Sequence, residues 1–173
     1  KKNVINLNGT VFHYDKLIIA TGSKNKILDD LDPEEYSNLI NLRTLNDSVR
    51  LKNLILKSKN IVIIGAGFIG LEVAASARSL GKNVTILESD TKVMGRNISD
   101  QLSKWYIQYH KKKGVSFLFN ETIASIKTNK KMINSIQTSK KNNLKIDCLL
   151  TAIGSYPDTT LANAIDLEIN NGI

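Results

Sequence analysis

An α/β fold with a parallel sheet is what residues 61–88 predict, and the short apolar stretches after them add a small antiparallel meander. Three observations carry this. Ile61–Ile64 is an unbroken β-branched run, the pattern of a strand buried on both faces. Gly65-Ala66-Gly67-Phe68-Ile69-Gly70 follows at once, spaced G-x-G-x-x-G, and opens an apolar, alanine-rich helix. A second strand, Val84–Leu87, then ends at Glu88.

The other elements take their places around this unit. Val4–Leu7 and Thr10–His13 flank Asn8-Gly9, a strong two-residue hairpin turn. Leu17–Ala20 reads as an apolar strand that stops at Thr21-Gly22-Ser23. Residues 24–38 are polar, contain Pro33 and read as a connection. Asn46-Asp47-Ser48 can cap a helix running to about Lys57. Residues 89–98 form a loop containing Arg96; Ser99 or Asp100 caps the next helix, which stops at Gly114. Leu102, Tyr106 and Tyr109 recur in that helix at helical spacing. Val115–Phe119 is the third parallel strand. Thr122–Thr128, Met132–Thr138 and Leu144–Ile146, separated by Lys/Asn-rich turns, form the meander. Asp147–Ile153 is another buried strand leading into Gly154-Ser155-Tyr156-Pro157, and Thr160–Ala164 is a short helix.

Composition narrows the function classes. A chain of 173 residues, 42% hydrophobic, supports one good core, or one domain plus part of another. No apolar run approaches the roughly 20 residues needed to span a bilayer. The chain has no initiator Met or signal peptide and opens inside an apparent strand, so it is expected to be a piece of a longer protein. The single cysteine, Cys148, excludes an internal disulfide and fits a cytoplasmic setting; in an apolar strand it reads as a small hydrophobe. The net charge is +8, but the lysines are scattered and no aromatics alternate with them, which argues for solvated faces over nucleic acid and leaves an acidic protein partner open. His13 and His110 have no third partner spaced for metal, and no Ser-His-Asp set or carboxylate pair emerges.

The glycine pattern carries the chemistry. Gly65 permits the tight turn, Gly67 lets backbone approach a pyrophosphate, and Gly70 lets helix and strand pack closely. The helix N-terminus favours an anion there. Glu88, eighteen positions after Gly70, stands where a carboxylate should meet the adenosine ribose hydroxyls. These residues make up a Rossmann-like dinucleotide-binding unit.

Beyond the unit itself, Tyr14-Asp15-Lys16-Leu17-Ile18-Ile19-Ala20-Thr21-Gly22-Ser23 resembles the strand that closes the FAD domain of FAD-dependent pyridine nucleotide–disulfide oxidoreductases. The glycine segment, the meander and Thr151-Ala152-Ile153-Gly154-Ser155-Tyr156-Pro157 resemble that family's NAD domain and its exit. Leu42-Arg43-Thr44-Leu45-Asn46-Asp47, Met94-Gly95-Arg96 and residues 106–114 are similar to the NADH-dependent ferredoxin and rubredoxin reductase branch. The resemblance implies residues 1–43 as the end of a first FAD-domain segment, 44–154 as the NAD-binding domain, and 155–173 as the return to the FAD domain. It implies that the whole enzyme passes hydride from NADH to FAD and electrons to a ferredoxin or rubredoxin, and that this piece alone is inactive. A dinucleotide at Gly65, Gly67 and Gly70 would meet Glu88 and Arg96 on its adenosine half, and Ile69, Glu72 and Gly154 near the nicotinamide. Glu72 is placed in the first helical turn, where the dipole by itself also favours an acid. Thr21, Gly22 and Arg43 would touch FAD. The family's N-terminal FAD glycine loop and its later Gly-Asp segment are not in these residues. Two other readings stay open: an NADH oxidase or disulfide reductase of the same superfamily, and a non-catalytic NAD-binding flavoprotein like the apoptosis-inducing factors.

Overall fold

The computed structural model describes residues 4–29 and 31–172. In chain order the elements are β1 (Val4–Leu7), β2 (Thr10–His13), β3 (Ser23–Asn25), β4 (Leu39–Asn41), α1 (Leu45–Lys57), β5 (Asn60–Ile64), α2 (Phe68–Ser79), β6 (Asn83–Glu88), α3 (Asp100–Lys112), β7 (Val115–Phe119), β8 (Ile123–Asn129), β9 (Met132–Thr138), β10 (Asn143–Lys145), β11 (Cys148–Thr151), β12 (Ser155–Pro157) and α4 (Thr160–Ala164). They fall into two compact units, residues 25–155 and residues 1–24 with 156–173.

The larger unit is built on a five-stranded parallel sheet in the order β4-β11-β5-β6-β7. In its β4, β11 and β5 strands, Leu39, Ile40, Cys148–Leu150 and Ile61–Ile64 are all buried because both faces of the sheet are covered there. Alternate residues divide between two cores. Ile61 and Ile63 of β5, Ile40 of β4, and Cys148 and Leu150 of β11 pack with Leu51 and Ile55 of α1 and Leu71, Ala74 and Ala77 of α2. Val62, Ile64, Leu39 and Leu149 point the other way, against Ile133 and Ile136 of β9 and Ile146. That second core belongs to the antiparallel sheet β10-β9-β8, the predicted meander. Burying each such aliphatic side chain stabilises by about 1.5–3 kcal/mol. Buried Asn38 ties the layers together: its Nδ2 donates to the Ile133 carbonyl at 2.8 Å, and its Oδ1 accepts from the Ile133 N–H at 2.9 Å.

Several local expectations need correction. α1 is capped by Thr44, two residues before the expected Asn46-Asp47-Ser48. Asp47 N–H donates to Thr44 Oγ1 at 3.2 Å, and Thr44 N–H donates to Asp47 Oδ2 at 2.7 Å, closing a reciprocal capping box. Leu39–Asn41, just past the expected connection, forms the three-residue strand β4 by pairing with β11, and the larger compact unit, from Asn25, holds buried Leu31 in its core. The buried side of α3 is also different. Leu102 and Tyr109 are exposed, whereas Ser103 and His110 are buried. Ser103 Oγ donates to the Val93 carbonyl at 2.8 Å, fastening α3 to the 89–98 loop. His110 lies edge-on to Phe117, and burial pushes its imidazole below the usual histidine value.

In the smaller unit, Asn8 (φ 50°) and Gly9 (φ 84°) make the hairpin turn, with Leu7 opposite Thr10. Positive φ at both turn residues is what a two-residue hairpin of the native twist requires. Residues 17–20 are not a strand. They have no ladder partner among the described residues, and Ile18 is 88% exposed. Thr21 Oγ1 donates to the Asp158 carbonyl at 2.5 Å, and Asp158 N–H donates to the Gly22 carbonyl at 2.9 Å. Gly22 takes φ 73°, a conformation that favours glycine. The Thr160 hydroxyl, and then Lys24, bring the Asp158 carboxyl down to about 2.

Candidate functional site

The site forms where the parallel strands end. β5 runs into Gly65, whose φ of 101° turns the chain sharply while its N–H donates to the Leu87 carbonyl at 2.9 Å. A Cβ there would overlap the Ala152 carbonyl oxygen of the neighbouring strand's exit, and one on Gly70 would overlap the Gly65 carbonyl. These two glycines are required by the protein's own backbone. Gly67 differs, because a Cβ built on it meets nothing within 4 Å. It faces an open cleft of about 1030 Å³. Gly67 is also the N-cap of α2, and no side chain caps that terminus. Backbone that can be approached closely at an uncapped helix start suits a phosphate group.

Glu88 is held against this turn. Its Oε2 accepts the Ala66 N–H at 2.6 Å, and its Oε1 accepts the Asp90 N–H at 2.9 Å and the Ser89 hydroxyl at 3.2 Å. A carboxylate has about four acceptor positions, so it retains capacity for ribose hydroxyls. The 89–98 loop is pinned from the other side, Met94 N–H donating to the Ala66 carbonyl at 3.0 Å. Lys92, in that loop, pairs with Asp100 at 2.6 Å.

Of the sequence-predicted residues, Gly65, Gly67, Ile69, Glu88, Arg96, Gly154 and Arg43 line the cleft. Gly70 lies buried beneath it, packed on the turn. Gly154 has φ 97° and open space at its Cβ position, and Ile69 is 42% exposed at the cleft. Glu72 is not brought in. α2 begins at Phe68, so Glu72 falls in the second turn on an exposed face, and the first turn holds no acid. Thr21 and Gly22 belong to the smaller unit. The residue that sequence reasoning missed is Glu121, a buried carboxylate on the cleft wall. Its one signal was an acid just beyond an apolar strand.

Cys148 is fully buried at the start of β11, and burial pushes its thiol up to about 12. It is a core residue, not a nucleophile. Cys148→Ser should leave NADH affinity within about twofold while costing about 1–3 kcal/mol of stability, since a buried hydroxyl needs a partner. Thiol titration of the native chain and a denaturant melt of the variant check this. Rapid native labelling together with lost binding would contradict it. Among the described residues no cluster of three metal-ligating side chains occurs. No helix among them is long and apolar enough to cross a membrane.

Glycine turn, ordered strand-end acid and cleft sit together at the ends of the parallel strands of a mixed α/β unit. The chain belongs to the pyridine nucleotide-disulphide oxidoreductase family, whose sequence profile matches residues 1–173. It is 31% identical to the rubredoxin-NAD(+) reductase of Pseudomonas putida over 173 residues, all of this chain and 45% of that protein. The rubredoxin-NAD(+) reductase of Ectopseudomonas oleovorans is 30% identical with the same coverage. Among solved structures, the covalent putidaredoxin reductase–putidaredoxin complex superimposes with TM-score 0.93 at 27% identity, over 99% of this chain and 42% of that one. A ferredoxin reductase from Rhodopseudomonas palustris gives 0.89 at 32% identity, over 95% and 41%. The chain thus spans less than half the length of the relatives it matches.

Proposed function

We propose that residues 25–155 are the NAD(H)-binding unit of a flavin-dependent reductase, one that passes hydride from NADH to FAD and electrons on to a ferredoxin- or rubredoxin-type carrier. The observation that carries the nucleotide assignment is the contrast among the glycines. Gly65 and Gly70 are enclosed by backbone, while Gly67 opens on the cleft beside an uncapped helix start and an ordered acid. The names of the similar proteins support the acceptor class.

In this reading the first N–H groups of α2 hold the pyrophosphate, and Glu88 accepts from the ribose hydroxyls. Arg96, exposed on the loop, approaches the adenosine half. Ile69 and Gly154 wall the nicotinamide side, Gly154 by lacking a Cβ. Glu72 would reach the nicotinamide carboxamide only from the exposed face of α2. Thr21 and Gly22 through their backbones, and Arg43 through its guanidinium, are the groups this chain offers to FAD. FAD, when bound, supplies the step from two-electron to one-electron transfer. The protein's share is orientation and exclusion of water, and no general acid or base is required. A cytoplasmic setting accords with the lone buried cysteine.

Calorimetry on the 173-residue chain tests the reading. NADH should bind, FAD should not bind measurably, and the purified chain should be colourless and inactive in NADH-dependent dye reduction. Absence of NADH binding, or a yellow preparation with one flavin per chain, would overturn it.

A further inference from the structure

Three adjacent strands lay out the cleft in order. β5 delivers the glycine turn, β6 delivers Glu88, and β7 ends just before Asn120 and Glu121. A dinucleotide with its pyrophosphate at Gly67 and its ribose at Glu88 therefore carries its purine onward over β7. There Glu121, Thr122 and Ile123 line the wall. Two backbone bonds hold this corner to the ribose side: Glu121 N–H donates to the Glu88 carbonyl, and Asn120 N–H to the Asp90 carbonyl, both at 3.1 Å.

Glu121 is unusual for an acid in being only 5% exposed. Its Oε2 accepts the Thr138 hydroxyl at 2.5 Å and the Asn142 amide N–H at 2.9 Å. These bonds, the Thr138 one foremost, hold its carboxyl below the ordinary carboxylate range, so it is charged at neutral pH. Its Oε1 makes no hydrogen bond among the described residues. No fully buried side-chain polar atom among them lacks a partner. Oε1 therefore keeps access to solvent, and Glu121 lines the cleft. One oxygen is fixed by the protein and the other is open.

We propose that Glu121 Oε1 accepts a hydrogen bond from the exocyclic amino group of the adenine, making Glu121 a base-specificity residue of the nucleotide site. This rests on the assignment of residues 25–155 as the NAD(H)-binding unit. A carboxylate only accepts hydrogen bonds. It matches a 6-amino purine and opposes the 6-oxo group of hypoxanthine. A site built around a buried polar group discriminates strongly against a ligand that leaves it unpaired.

The test compares NAD with nicotinamide hypoxanthine dinucleotide by calorimetry on the 173-residue chain and on Glu121→Gln. The unmodified chain should prefer NAD by at least about tenfold. Glu121→Gln keeps an acceptor for Thr138 and Asn142 and turns a donor toward the base. Its preference should shrink to within about threefold or reverse, with a thermal melt showing a folded chain. Equal affinities in the unmodified chain would overturn the base assignment and leave the nucleotide site standing, a result that needs no variant. An undiminished preference in Glu121→Gln would do the same. Failure of both dinucleotides to bind would overturn the nucleotide reading, and this assignment with it.

Discussion

Gly70→Ala should lower the melting temperature by roughly 6–12 °C, about 3 kcal/mol for a chain of this size. Its Cβ would sit on the Gly65 carbonyl, inside a turn that the Leu87 carbonyl and the β11 exit already fix from other sides. Backbone cannot yield as a flexible side chain does, so the strain stays at the site. Gly65→Ala should be at least as damaging, since it adds a left-handed φ to an overlap with the Ala152 carbonyl. Gly67→Ala is the contrasting case. Its φ of −78° suits any residue, and the new methyl meets open space. It should melt within about 3 °C of the parent, the modest loss of an N-cap preference, yet bind NADH at least about tenfold more weakly because the methyl stands where phosphate must approach. Differential scanning fluorimetry and calorimetry on the three variants separate the effects. A Gly67→Ala chain that binds NADH normally would remove the main support for the nucleotide site.

NADH should bind the chain at least about tenfold more tightly than NADPH, a difference of roughly 1.4 kcal/mol. Glu88 is the cause, because a 2′-phosphate would bring a second anion against its carboxylate. The geometry sharpens this expectation. The backbone N–H groups of Ala66 and Asp90 hold both carboxylate oxygens in place, so Glu88 cannot readily swing aside. Arg96 is exposed on the same loop and offers a cation, but Lys92 is already paired with Asp100. Glu88→Gln removes the charge at nearly constant shape and should bring the two affinities to within about threefold, at some cost in stability because one backbone N–H loses its acceptor. Equal affinities in the parent chain would show that Glu88 does not face the ribose.

The sequence alone was enough for the β-α-β unit, the meander, the hairpin and the burial of Cys148. In each case the signal is local: a β-branched run, a glycine where φ must be positive, a turn dipeptide, the apolar Ile146, Leu149 and Leu150 around the cysteine. Spacing from one strand also singled out Gly67 and Glu88, and both line the cleft. Tertiary structure decided what depends on a distant partner. Leu39–Asn41 is a strand because β11 lies beside it, and residues 17–20, more apolar than many strands, are not one because no ladder meets them. Ser103 and His110 displace Leu102 and Tyr109 from the buried side of α3 because the Val93 carbonyl and Phe117 wait there. Glu121 reads as a surface acid until Thr138, at the end of β9, and Asn142, in the turn after it, close on one of its oxygens and leave the other open. Periodicity and motif report what a residue does to its own stretch of backbone, whereas burial of a polar group is set by the partner that satisfies it, and that partner is chosen by the fold.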